Sequence, residues 1–221
     1  MLPMAAGAAE HDVGVWPGLA ARRRWADDLQ ARYGGGHPFV GEGHHRHLLE
    51  ALPQDVRIED LRLFESCAFA LAKPDAVAEG KLEALCRWLD GSGFEICHLE
   101  GIFTPREQQF EDLYKFNLMN RALQNEPATW WLNRRVYTLG PSVLLLVRSR
   151  DPATAVYGRL QQAKGPADPR AGGAGQLRYE LGAANKALNL LHCSDNPAVA
   201  LREFLIFRSA AGHCQLKCTG R

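Results

Sequence analysis

The stretch Leu188-Asn189-Leu190-Leu191-His192-Cys193-Ser194-Asp195-Asn196-Pro197 sets one histidine between a short apolar run and a helix start. The apolar residues before His192 are too few for a helix and suit a buried strand. After it, Ser194, Asp195 and Asn196 are favoured N-caps, and Pro197 suits the first helical position, where a missing N–H is not missed. Backbone N–H groups and a helix dipole would then point near His192, an arrangement that attracts phosphate. In the following helix Ala200, Phe204 and Phe207 form one stripe. Glu203 takes the remaining slot, where a bare carboxylate is costly to bury without a partner. An imidazole N–H is such a partner, and a histidine held at one nitrogen with the other left over is the oriented base of nucleophilic catalysis. By themselves the same residues also fit a structural histidine at a strand end, with Glu203 turned outward, because Leu201 and Leu205 make the helix apolar on other faces.

A second motif bears on that choice. At Phe69-Ala70-Leu71-Ala72 an apolar strand runs into Lys73-Pro74-Asp75, then a glycine, then a helical pattern with Leu82, Leu85, Cys86 and Leu89 on one face. Together the two motifs resemble the nucleoside diphosphate kinase family, which carries Lys-Pro-Asp after its first strand and Asn-x-x-His-x-Ser-Asp around a phosphorylated histidine. Asn189, His192, Ser194 and Asp195 match the second pattern, and Glu203 stands at the family's spacing. Gly175-Gln176-Leu177-Arg178 is similar to the family's Gly-Thr-Ile-Arg, and Gly140-Pro141-Ser142-Val143 to its Gly-Pro-Val-Val. The order holds across roughly residues 66 to 208.

The elements that would position these residues alternate. Strands are expected at 67–72, 94–103, 142–148 and just before His192, and helices at 80–91, 105–116, onward through 137, 152–163 and from Pro197, with a long irregular loop to about 187. Such interleaving gives an α/β (α+β) domain with helices packed on a sheet. The resemblance sharpens this to a ferredoxin-like antiparallel sheet flanked by helices. The expected organisation is an N-terminal extension over 1–64, partly helical between Trp16 and Tyr33, a kinase-like domain over 65–210, and a tail over 211–221.

The resemblance implies a ping-pong phosphotransferase in which His192 carries the γ-phosphoryl group of a nucleoside triphosphate to a nucleoside diphosphate, with Glu203 orienting the ring. Lys73 would contact sugar hydroxyl and phosphate, Asn189 the ribose, and Arg178 phosphate. Tyr114 resembles a tyrosine near the family's histidine, and Trp130 replaces a base-stacking phenylalanine. Mg2+ would be held mainly by nucleotide phosphates. In the phosphate loop the family's arginine is matched by Arg159 with a one-residue slip, and Lys164 replaces a threonine, a point charge in place of a hydroxyl. These departures leave two alternatives: a diverged kinase acting on a modified nucleotide or small metabolite, and a catalytically silent nucleotide-binding or assembly module. A homo-oligomer is expected from the family.

Composition sets broad limits. A chain of 221 residues with net charge +1 has no concentrated basic balance, so no nucleic-acid partner is expected, and the Arg22-Arg23-Arg24 run reads as solvated. Apolar runs such as Val143 to Val147 are strand-sized, so no membrane association and a cytoplasmic location are expected. The six cysteines lack a Cys-x-x-Cys pair and read as thiols; neither His44, His45 and His47 nor His213, Cys214 and Cys218 completes a tetrahedral set.

Overall fold

The computed structural model describes residues 63–102, 104–119, 127–153 and 155–208, with the isolated helical positions Arg24, Asp27 and Ala31. Both histidine and cysteine clusters, the tail, and the rest of the extension lie outside the described residues.

β1 (Cys67–Ala72) is buried at every position, as a central strand with both faces covered must be. It pairs antiparallel with β3 (Ser142–Ser149) on one edge and β4 (Leu191–Cys193) on the other. β2 (Phe94–Ile102) pairs antiparallel with β3, giving the order β2-β3-β1-β4. The helices are α1 (Pro74–Ala78), α2 (Leu82–Gly91), α3 (Glu107–Met119), α4 (Pro127–Leu139), α5 (Val156–Lys164), α6 (Leu177–Glu180) and α7 (Pro197–Arg208). This is the expected ferredoxin-like arrangement of a four-stranded antiparallel sheet with flanking helices.

Three local differences have physical causes. The helix expected at 80–91 is α2, but an unforeseen short helix, α1, precedes it, because Pro74 starts a turn directly after Lys73 and Gly80 (φ +66°) ends that turn before α2. The long loop holds α6 and a 3-10 turn at Pro169–Ala171, where Asp168 accepts the Arg170 N–H. Finally, β4 begins at Leu191, so His192 lies within the strand and not after it.

Side-chain alternation assigns the two faces of the sheet. Phe69, Leu71 and His192 share one face, since His192 pairs with Leu71. α7 covers it: the Phe207 ring stacks on Phe69 at 5.9 Å, and Phe204 meets Phe64 at 5.4 Å. Ala68, Ala70, Ala72 and Cys193 take the other face, where α5 packs. From α5 the Tyr157 hydroxyl lies 2.5 Å from Phe64 O and 2.9 Å from Cys67 O, fastening the start of β1.

α5 also carries Arg159, and the structure does not bring this residue to His192. Its guanidinium donates to Ser92 O (2.7 Å), Ser149 Oγ (2.9 Å) and Gly93 O (3.3 Å) and lies over the Phe94 ring at 4.8 Å. Ser149 is at the end of β3 remote from Leu144, the residue level with His192 across β1, about 17 Å away at strand rise. Arg159→Ala should therefore lower the unfolding free energy by about 1–3 kcal/mol in a denaturant titration. ADP affinity, measured in parallel, should stay at the parent value.

Candidate active site

Leu190 bends the chain into β4 with a φ of +70°, and the Leu191 N–H donates to Asn189 O at 2.8 Å. That closes a γ-turn of the rare, strained hand, a conformation costing on the order of 1–3 kcal/mol. Charged residues hold it. The Leu190 N–H donates to Asp75 Oδ2 at 2.9 Å, and the Lys73 N–H donates to Leu190 O at 2.9 Å. Arg178 grips both flanks, Nε on Asn189 O (3.0 Å) and Nη2 on Leu191 O (2.7 Å). The Lys-Pro-Asp segment and Arg178 thus build the bend that aims His192.

His192 Nε2 lies 2.8 Å from Glu203 Oε2, which also accepts from Ser194 Oγ at 2.5 Å. Burial pushes the Glu203 carboxyl up, but His192, Arg202 and the Ser194 hydroxyl outweigh it and hold it below its ordinary value. An ionised carboxylate only accepts, so Nε2 carries the proton and Nδ1 is the unprotonated nitrogen of the neutral ring. The imidazole keeps 17% of its side-chain surface exposed against 4% for Glu203, so the pair has one open end. The Tyr114 and Phe69 rings flank it at 5.8 Å and 6.4 Å. Just beyond, Asn196 caps α7, its Oδ1 accepting the Val199 N–H at 3.0 Å ahead of Pro197. Gln161 of α5 ties the same segment down, donating to Cys193 O, Ser194 O and Asp195 Oδ1.

Lys73, Asn189, Arg178, Lys164 and Tyr114 gather around this end of the sheet. Lys73 Nζ is buried and donates to Asn189 Oδ1 (3.0 Å), Asn133 Oδ1 (3.3 Å) and Ala187 O. Burial pushes its pKa down to about 7, with Asp75 opposing and Arg178 adding to the shift. Asn189 Nδ2 also donates to Lys186 O at 2.8 Å, so this side chain holds the loop together. Arg178 Nη1 donates to Gly165 O at 3.0 Å. With Nε and Nη2 also engaged, two of the guanidinium's five N–H groups are left over. Lys164 is buried at the end of α5, and its ammonium has no hydrogen-bond partner among the described residues. Burial lowers its pKa, while Cys193, Asp195 and Glu203 draw it back up. Trp130 is half-buried with its ring edge on Tyr114 at 5.3 Å, whereas its neighbour Trp131 is 61% exposed.

Four positioning residues escape the sequence reading: Asp75 as holder of Leu190, Gln161, and Asn133 and Tyr137 of α4. A buried polar pair at i and i+4 was a signal for the last two, though the long segment before α4 obscures their register.

The comparisons with known proteins bear on the family and the fold. Residues 66–211 match the family model described as nucleoside diphosphate kinase. The chain is 29% identical over 138 residues to the nucleoside diphosphate kinase of Sorangium cellulosum, covering 62% of this chain and 87% of that protein. It is also 29% identical over 142 residues to that of Geotalea daltonii, covering 64% and 94%. Among solved structures, the Aquifex aeolicus nucleoside diphosphate kinase superposes with a TM-score of 0.52 at 22% identity, covering 66% of this chain and 97% of that one. The Encephalitozoon cuniculi enzyme gives 0.53 at 16% identity, covering 67% and 94%; at these identities the two likenesses speak for the fold. With the matched family model spanning most of the sequence, the chain belongs to the nucleoside diphosphate kinase family.

Proposed function

We propose that this phosphotransferase moves the γ-phosphoryl group of a nucleoside triphosphate to a nucleoside diphosphate through His192. One observation carries the reading: Glu203 takes Nε2–H and leaves Nδ1 without a hydrogen-bond partner among the described residues, on an imidazole that keeps 17% of its surface exposed. Nδ1 attacks the γ-phosphorus, the bond to the bridging oxygen breaks, and the diphosphate leaves. A terminal oxygen of a second diphosphate then attacks the same phosphorus, and the N–P bond breaks to return neutral imidazole. While phosphorus sits on Nδ1 the ring is cationic, and the buried Glu203 carboxylate stabilises it. Lys164, Lys73 and the two remaining Arg178 donors supply positive charge toward the phosphates. Mg2+ enters with the substrate, on its phosphate oxygens. Among the described residues no group of three or more His, Cys, Asp or Glu is arranged to hold a metal ion, and the Glu203 carboxylate already answers His192 and Ser194. A modified nucleotide or small metabolite as acceptor is the second reading, favoured by the absence of Arg159 from the site.

Incubation with MgATP should label the parent in an acid-labile, base-stable form, and His192→Ala should take no label while keeping its fold by circular dichroism. Equal labelling of the variant would remove His192 from the chemistry. A panel of nucleoside diphosphates and modified acceptors, with products resolved by chromatography, separates the two acceptor readings.

Glu203→Gln should slow phosphoryl transfer by about 10²–10⁴-fold with nucleotide affinity retained. An unchanged rate with only a lower Tm would leave Glu203 structural.

Phosphate binding should track the cations. Lys164→Thr should weaken ADP by about tenfold or more, the loss of one charge-assisted contact. For Lys73 the sign follows from its lowered pKa: a bound phosphate favours the ammonium, so binding takes up a proton once pH exceeds about 7. ADP affinity should therefore fall as pH rises from 7 to 9. Calorimetry in buffers of different ionisation enthalpy checks the uptake; a flat profile would contradict it.

A further inference from the structure

α4 turns two buried polar side chains toward Lys73: Asn133 and, one helical turn on, Tyr137. Away from water an amide and a phenol need partners, and both find them at one place. Asn133 Oδ1 accepts from Lys73 Nζ at 3.3 Å, and the Tyr137 ring lies under the same nitrogen at 5.1 Å. Tyr137 OH meets Tyr114 OH at 3.0 Å, and the Tyr114 ring in turn stands edge-on to His192 at 5.8 Å. The other acceptors of the ammonium, Asn189 Oδ1 and Ala187 O, come from the loop that leads into β4. An ammonium has three donors, and these three oxygens match them, so losing any one leaves a donor unanswered in a buried place. The charged and titratable groups facing Lys73 are Asp75 from α1, Arg178 from α6, Tyr137 from α4 and, behind it, Tyr114 from α3. The α4 contribution is thus neutral: it seats the cation without cancelling the charge a phosphate would meet.

We propose that Asn133 and Tyr137 are positioning residues that seat the Lys73 ammonium, holding it charged and fixed beside His192. What the seated ammonium does rests on the phosphotransfer reading above, whereas the seat itself can be read without nucleotide.

The test uses the full chain with 13Cε-labelled lysine, the Lys73 resonance assigned through Lys73→Met, and its titration followed by NMR. In Asn133→Leu the Lys73 midpoint should fall by about one pH unit, the scale of one lost contact to the charged form. Asn133→Gln should recover most of that shift. Asn133→Asp, which supplies an anionic acceptor and covers the case in which the leucine variant does not fold, should raise the midpoint instead. Tyr137→Phe keeps the ring and should leave the midpoint in place, while Tyr137→Leu should lower it. With nucleotide, the pH at which ADP affinity begins to fall should move down in Asn133→Leu by the same interval. A folded Asn133→Leu protein with the parent midpoint would overturn the seat, as would a midpoint unmoved by Asn133→Asp. A parent that takes no label from MgATP while its lysine midpoint still falls in Asn133→Leu would keep the seat and remove the phosphotransfer reading.

Discussion

A carboxylate taken out of water must be answered by donors, and the donors that answer Glu203 come from the parts of the chain that most need to be held together. His192 and Ser194 reach it from β4 and the turn after it, so the helix that carries Glu203 and the strand that carries the histidine share one buried charge. Arg202, next along α7, is drawn to the same carboxylate and donates to Asp112 O and Leu113 O of α3. α3 brings Tyr114 against the imidazole. Removing one partner would strand a charge between three elements, and so the polar network joins β4, α7 and α3 where the phenylalanine packing around Phe69 also holds α7 to the sheet.

The strained bend at Leu190 is the second organising feature, and it changes how the familiar motif residues are understood. Asp75, the Lys73 backbone and Arg178 spend hydrogen bonds on the backbone of Asn189, Leu190 and Leu191. They are architecture first. A guanidinium that grips the carbonyls of Gly165, Asn189 and Leu191 joins the end of α5 to the approach to β4, and it still keeps N–H groups for a ligand. On the phosphotransfer reading proposed above, structural and functional roles are not alternatives for these residues, because the geometry that chemistry needs is made by the same groups.

Much of this is legible in the sequence where the signal is local. The apolar run of β1, the single apolar face of α2 and the cap before α7 each follow from periodicity and capping chemistry, and the Glu203 slot in the α7 stripe announces a buried partner. What escapes is register and long-range pairing. A one-residue displacement on a helix turns a side chain by about 100°, which is enough to send Arg159 to the Ser92–Gly93 turn and away from the His192 end of the sheet. A leucine at positive φ is not foreseeable from propensity, because its stabilising partner, Asp75, stands 115 positions earlier. Asn133 and Tyr137 are similarly hidden, since their meaning depends on where α4 lies over β1's end, a property of packing and not of local pattern.

The Tyr157 clasp on Phe64 O and Cys67 O has a mechanical side. It anchors the junction between the first sixty or so residues and the sheet at the start of β1, while Lys73 follows the other end of that strand, about 20 Å further on. β1 is hydrogen-bonded along both edges, to β3 and to β4. Tension arriving from the N-terminal side is therefore borne in shear by two ladders acting together, and it must rupture the clasp before it displaces the lysine. Load applied there is met first at Phe64 and Cys67, at the end of β1 remote from Lys73.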